Sequence, residues 1–197
     1  MRFLTAIFLL LSSSFLLFSQ TVYHVSPSGS NRNDGSAPAP MKNIETALAK
    51  AKAGDSVLVR QGLYQGKFGA ANLKISQGIT LKGGYSPDFS QWDPWTYLTL
   101  FAPDNPRGGE NNRAFVEVSG RVDGLTIQGF VFDSGDRNAY KTNGAGALLL
   151  PPSRPPQGNI TVTKSILTFA AGTPGKITIP DNVFLNAPHF AIHGGLR

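Results

Sequence analysis

The sequence predicts an all-β fold built of short strands, with a single-stranded parallel β-helix favoured over a sandwich or barrel and one short α-helix capping its N-terminal end. Three observations carry this. From Ser56 onward the chain is a succession of short alternating or apolar runs separated by Gly, Asn, Asp and Pro. Three runs repeat a branched-Thr-branched triplet followed by a second apolar pair: Leu125-Thr126-Ile127 with Phe130 and Phe132, Ile160-Thr161-Val162 with Ile166, and Ile177-Thr178-Ile179 with Val183-Phe184. The corners between strands are single polar residues or long loops, whereas a hairpin sandwich favours two-residue primed turns. Stacking the triplets of successive coils would line their inward side chains into one continuous core.

The elements follow in order. Met1-Arg2 followed by the apolar stretch to Phe18 and Ser19-Gln20 reads as a secretory signal peptide over residues 1–20. Ser12, Ser13 and Ser14 break the run, which favours a cleaved signal over a membrane span. With zero cysteines the chain has neither a disulfide nor a lipid-bearing cysteine. The expected destination is therefore the periplasm, the cell surface or the medium, and no span of the membrane is expected after signal removal. Residues 21–197 read as one domain of ordinary size.

After Tyr23-His24-Val25 comes a turn-forming stretch to Pro40, in which Asn33-Asp34-Gly35 accepts positive φ. Asn43 is an N-cap candidate, Glu45 puts a carboxylate in the first turn, and Ile44, Ala47, Leu48 and Ala51 share one face. A helix over 44–53 is expected, closed by Gly54 and placed to cover the open end of the first coil. Coils begin at about Ser56, with strands expected at 56–60, 73–76, 79–84, 98–101, 114–118, 124–132, 147–150, 159–169, 176–185 and 190–194.

The segment Tyr23 to Tyr64, YHVSPSGSNRNDGSAPAPMKNIETALAKAKAGDSVLVRQGLY, resembles the opening of secreted right-handed β-helix proteins of the pectate-lyase-like superfamily. It carries a Tyr-x-Val-Ser-x-x-Gly start, Asn-Asp-Gly, a Pro-x-Lys-x-Ile entry to a helix and Gly-Asp-x-Val-x-Val-x-x-Gly-x-Tyr. GITLKGGYSPDFSQWDPWTYLT, 78–99, is similar to bacterial surface-associated members, and the likeness extends over roughly 22–185. It implies a right-handed helix. It implies no single activity, because the superfamily holds lyases, hydrolases, epimerases and adhesins. In its lyases the calcium-binding carboxylates and the catalytic Lys or Arg lie on later coils, of which this chain has few.

The formal charge of +6 comes from scattered Lys and Arg, without the basic stripe and stacking aromatics of a nucleic-acid binder. An extracellular, anionic polysaccharide reconciles charge with export. For glycan contact the candidates are Trp92 and Trp95, with Tyr97, in the polar loop SQWDPWTY, which would stack on sugar rings or else fold back over the first coils. For cleavage of uronate glycans, Asp133 and Asp136 are candidate Ca²⁺ ligands, Arg137 a substrate contact and Lys141 a general base; the competing reading is a solvated turn. His189 and His193, on a strand, would stand about 13 Å apart and cannot share a metal. No Gly-x-Ser-x-Gly elbow, His-Glu-x-x-His or phosphate loop occurs. The expected function is polysaccharide binding or structural engagement, with the N-terminal part of a Ca²⁺-dependent polysaccharide lyase as the alternative. The sequence closes at Arg197 without a second cap, so a longer gene product is expected, with an open last coil available to a partner or a second copy.

Overall fold

The computed structural model describes residues 19–66, 73–102, 116–119 and 122–132 and, as backbone alone, five short strands further on. Its strands are β1 (Val22–Val25), β2 (Ser56–Arg60), β3 (Gly62–Tyr64), β4 (Leu73–Ile75), β5 (Thr80–Tyr85), β6 (Thr99–Phe101), β7 (Val116–Val118), β8 (Leu125–Gln128) and β9 (Phe130–Phe132). The backbone-only strands are β10 (Leu148–Leu149), β11 (Ile160–Thr163), β12 (Ile166–Leu167), β13 (Ile177–Thr178) and β14 (Val183–Phe184). One helix, α1 (Ile44–Lys50), precedes β2.

Every pairing between these strands is parallel, in three sheets ordered β1-β2-β5-β8-β11-β13, β3-β6-β9-β12-β14 and β4-β7-β10. From β2 to β10 the chain visits the first, second and third sheets in strict rotation. The period of two in each strand sends alternate residues inward. Val57, Leu81 and Ile127 stack in register in the first sheet, Tyr64, Phe101 and Phe132 in the second, and Leu73 with Val116 and Ile75 with Val118 in the third. All are buried, in one core shared by the three sheets and α1. Among the described residues the fold is all-β and parallel, with one short helix.

The repeated triplets stack: Leu125 pairs with Ile160 and Ile160 with Ile177, while Thr126, Thr161 and Thr178 stand beside one another. Unequal spacing in sequence is absorbed between the strands and does not disturb register. The run expected as one strand over 124–132 is two, divided at Gly129, which takes φ +72. Sequence reading passed over β1 and β3, and the expected strand at 190–194 lies outside the described residues.

The helix is shorter than the expected 44–53. Ala51 is already extended, with ψ 139. The cause is Asp55, only 5% exposed, whose carboxylate accepts the N–H of Lys52 at 2.8 Å and of Thr21 at 2.9 Å. It thereby draws the chain out of the helix and ties it to the start of β1. Gly54 takes φ +91 as the turn residue of this exit and does not close the helix. Asn43 stands at the N-cap in extended conformation, but its side chain makes no capping bond; instead its N–H donates to Asn31 Oδ1 at 2.9 Å. The helix buries Ile44 and Ala47 and packs against β1, β2 and β4. Two of these, β1 and β4, are the first strands of their sheets.

Candidate functional site

The excursion from Ser86 to Leu98, between β5 and β6, gathers the aromatic side chains that the sequence singled out. Its departure is set by glycines. Gly83 and Gly84 are both buried, interrupting the alternation of β5, and the pairing with β2 shifts register between Leu58 and Arg60. Gly84 has φ +87, and a Cβ there would meet Pro94 Cα at 2.5 Å. Only glycine lets the loop return this close. Below it, Thr99 is fully buried, accepts the Gly84 N–H at 2.8 Å and lies 3.3 Å from the Arg60 carbonyl, to which it donates.

Two carboxylates shape the loop. Asp88 accepts the Ser86 hydroxyl at 2.6 Å, the Ser90 hydroxyl at 2.8 Å and the Ser90 N–H at 3.1 Å. The hydroxyl of Ser86, then the amide and hydroxyl of Ser90, hold its pKa down at about 2. Asp93 accepts the N–H of Trp95 at 3.0 Å and the Thr96 hydroxyl at 2.7 Å, while its own carbonyl takes the Tyr97 N–H at 2.8 Å. Tyr97 in turn donates its hydroxyl to Gln91 Oε1 at 2.7 Å. Within the first of these turns Phe89 adopts φ 63, and its ring stands edge-on to His24 with centroids 4.8 Å apart.

The two tryptophans have different places. Trp92 bridges antiparallel to Tyr85, donates Nε1–H to the Gly83 carbonyl at 2.8 Å and carries Lys82 Nζ 3.7 Å from its ring centroid. It is half-buried and fixed, a cation–π partner of Lys82 and a clasp between loop and sheet. Trp95 is 50% exposed on a turn whose backbone Asp93 holds. Of the two alternatives for these residues, Trp92 follows the covering one, and Trp95 presents its indole to solvent. Tyr97, singled out with the tryptophans, is tied into the loop through Gln91, whereas Lys82, Tyr85 and Phe89 were missed as members of the cluster. Lys82 was readable in part, as an outward position of an alternating strand; the others are brought in by the fold of the loop.

Asp133, Asp136, Arg137 and Lys141 lie outside the described residues, as do His189 and His193. Among the described residues no group of three or more His, Cys, Asp or Glu gathers to hold a metal ion, and no helix is long and apolar enough to cross a membrane. Asn33-Asp34-Gly35 forms a turn, with Gly35 at φ +93 and the Ser36 N–H donated to Asp34 Oδ1 at 2.8 Å.

Fold and loop together define an all-β, parallel-stranded protein with a helical cap and an aromatic loop on its early strands. Residues 27–88 match the family model described as "Protein of unknown function (DUF1565)", a stretch that takes in α1 and β2 to β5 and ends at Asp88, inside the first turn of the loop. No curated protein and no solved structure matches the chain.

Proposed function

We propose that this chain forms a capped, right-handed parallel β-helix that is exported and holds extracellular polysaccharide, with Trp95 as the stacking side chain. Three parallel sheets visited in rotation around one core support the helix. The likeness of residues 27–88 to a family of right-handed β-helix type supports its hand. The observation that carries the binding reading is the half-exposed indole of Trp95 on a turn fixed by Asp93. A turn whose backbone is already fixed needs little further ordering when a sugar stacks on the ring it carries. Lys82 and Arg60, beneath the same loop, add positive charge suited to uronate or sulfate groups.

The test is affinity electrophoresis through gels containing pectate, alginate, chondroitin sulfate or a neutral β-glucan. Retardation by at least one of these is expected, weakened about tenfold by Trp95→Ala, which corresponds to about 1.4 kcal/mol. The same variant should unfold within about 0.5 kcal/mol of the parent, since its side chain is a surface one. Equal retardation of parent and Trp95→Ala would overturn the assignment of the site.

A further inference from the structure

The first strands of the three sheets are not covered alike. Along β1 the outer edge is taken by residues 35–41: His24 N–H donates to the Gly35 carbonyl at 2.7 Å, Met41 N–H to the His24 carbonyl at 2.9 Å and Ser26 N–H to the Met41 carbonyl at 2.8 Å. The first strand of the third sheet, β4, lies against α1. The first strand of the second sheet, β3, pairs with β6 alone. In that pairing Gly62 donates its N–H to the Leu98 carbonyl at 3.0 Å, and the Tyr64 carbonyl accepts from Ala102 N–H at 3.0 Å. Parallel geometry then turns the N–H and C=O of Leu63 to the other side, toward the open edge. Among the described residues nothing hydrogen-bonds to Leu63, whose side chain is 51% exposed. Against the same edge lies a cavity of about 210 Å³, walled by β3 and the start of α1, with Lys42, Glu45, Gln65 and Phe101 among its lining.

We propose that this edge is a strand-addition site, at which an extended segment of another polypeptide pairs with Leu63 outside β3 and sets a side chain into the cavity. The edge offers a donor and an acceptor one residue long, which an extended backbone satisfies together. The molecule already completes its β1 edge in this manner, with residues 35–41. Lys42, exposed, and Glu45 both line the cavity, and the net charge of +6 tips the preference to a segment that carries an acidic side chain. The same net charge opposes a second copy at this edge.

The probe is an acetylated, amidated pentapeptide, Val-Thr-Asp-Val-Thr, titrated into ¹⁵N-labelled protein. Saturable shifts centred on the Leu63 amide are expected, with hydrogen exchange at that amide slowed about tenfold or more. Residues of a strand use alternate edges, so N-methylating the second and fourth residues of the probe, or the first, third and fifth, should abolish binding in one case and spare it in the other. Lys42→Glu, a change at an exposed position, should weaken binding. The proposal is overturned if the Leu63 amide does not respond, or if both N-methylated probes bind alike. It is equally overturned if Leu63 becomes protected on concentrating the protein alone, which assigns the edge to a second copy. A response to oligogalacturonide and none to the peptide would assign it to a glycan. Neither the probe nor the Leu63 readout touches Trp95, so failure here and failure of polysaccharide binding are distinguishable.

Discussion

Thr99 shows how much rests on one hydroxyl. It is the buried polar group at which β2, β5 and β6 meet, accepting from Gly84 and lying against the carbonyls of Val59 and Arg60. Thr99→Val keeps shape and removes the acceptor, leaving the Gly84 N–H unpaired in the interior. A loss of about 1–3 kcal/mol in denaturant unfolding is expected, with Thr99→Ser closer to the parent. Asp88 makes a pH-dependent contribution of definite sign. Its pKa is depressed from 3.8 to about 2 in the folded chain, so its bonds to Ser86 and Ser90 stabilise the loop fully above the unfolded value. That contribution declines as pH falls from 3.8 toward 2 and is gone below both values. Tryptophan fluorescence titrated over this range should report loosening of the loop that Asp88→Asn no longer shows. The pair Trp92 and Trp95 was legible in the sequence as a candidate site, but their division of roles was not. It depends on where the Gly83 carbonyl and the Lys82 ammonium lie, which no local pattern encodes.

Among the elements, those with a strong period were legible. The helical spacing of Ile44, Ala47 and Leu48 located α1, and the Leu-Thr-Ile pattern located β8 and β11 in the register they adopt. What was lost had tertiary causes. The far end of α1 is set by Asp55 reaching back to Lys52 and Thr21, partners distant from one another in sequence. The three residues of β3, Gly-Leu-Tyr, are too few to show alternation, and Tyr64 is held inward by core packing and by donation of its hydroxyl to the Arg60 carbonyl at 3.0 Å. The cap reading has its own test in Ile44→Ala. Ile44 is 1% exposed and part of the shared core, so its truncation should cost about 2–5 kcal/mol, read from the urea midpoint. A loss well below 1 kcal/mol would mean that the helix rests on the strands without sealing them.

At the scale of the whole molecule two forces bear on the proposed polysaccharide contact, and salt separates them. The chain carries +6, dispersed over the sequence, and such a charge draws any polyanion through a field that ions screen, with a Debye length of about 10 Å at 0.1 M salt and about 3 Å at 1 M. Stacking on Trp95 involves apolar surface and has no such dependence. Retention by pectate or chondroitin sulfate should therefore fall steeply between about 0.05 and 0.5 M NaCl and level off at a residual value. Trp95→Ala should remove the residual while leaving the steep part nearly unchanged, because it alters no charge. Lys82→Gln should do the reverse in the steep part, and it should also loosen Trp92, whose ring the ammonium covers at 3.7 Å, giving a shift in the emission of Trp92 when it is read alone in a Trp95→Phe background. If retention instead falls to nothing with salt in the parent protein, the attraction is that of a basic surface for any polyanion, and Trp95 has no part in selecting the glycan.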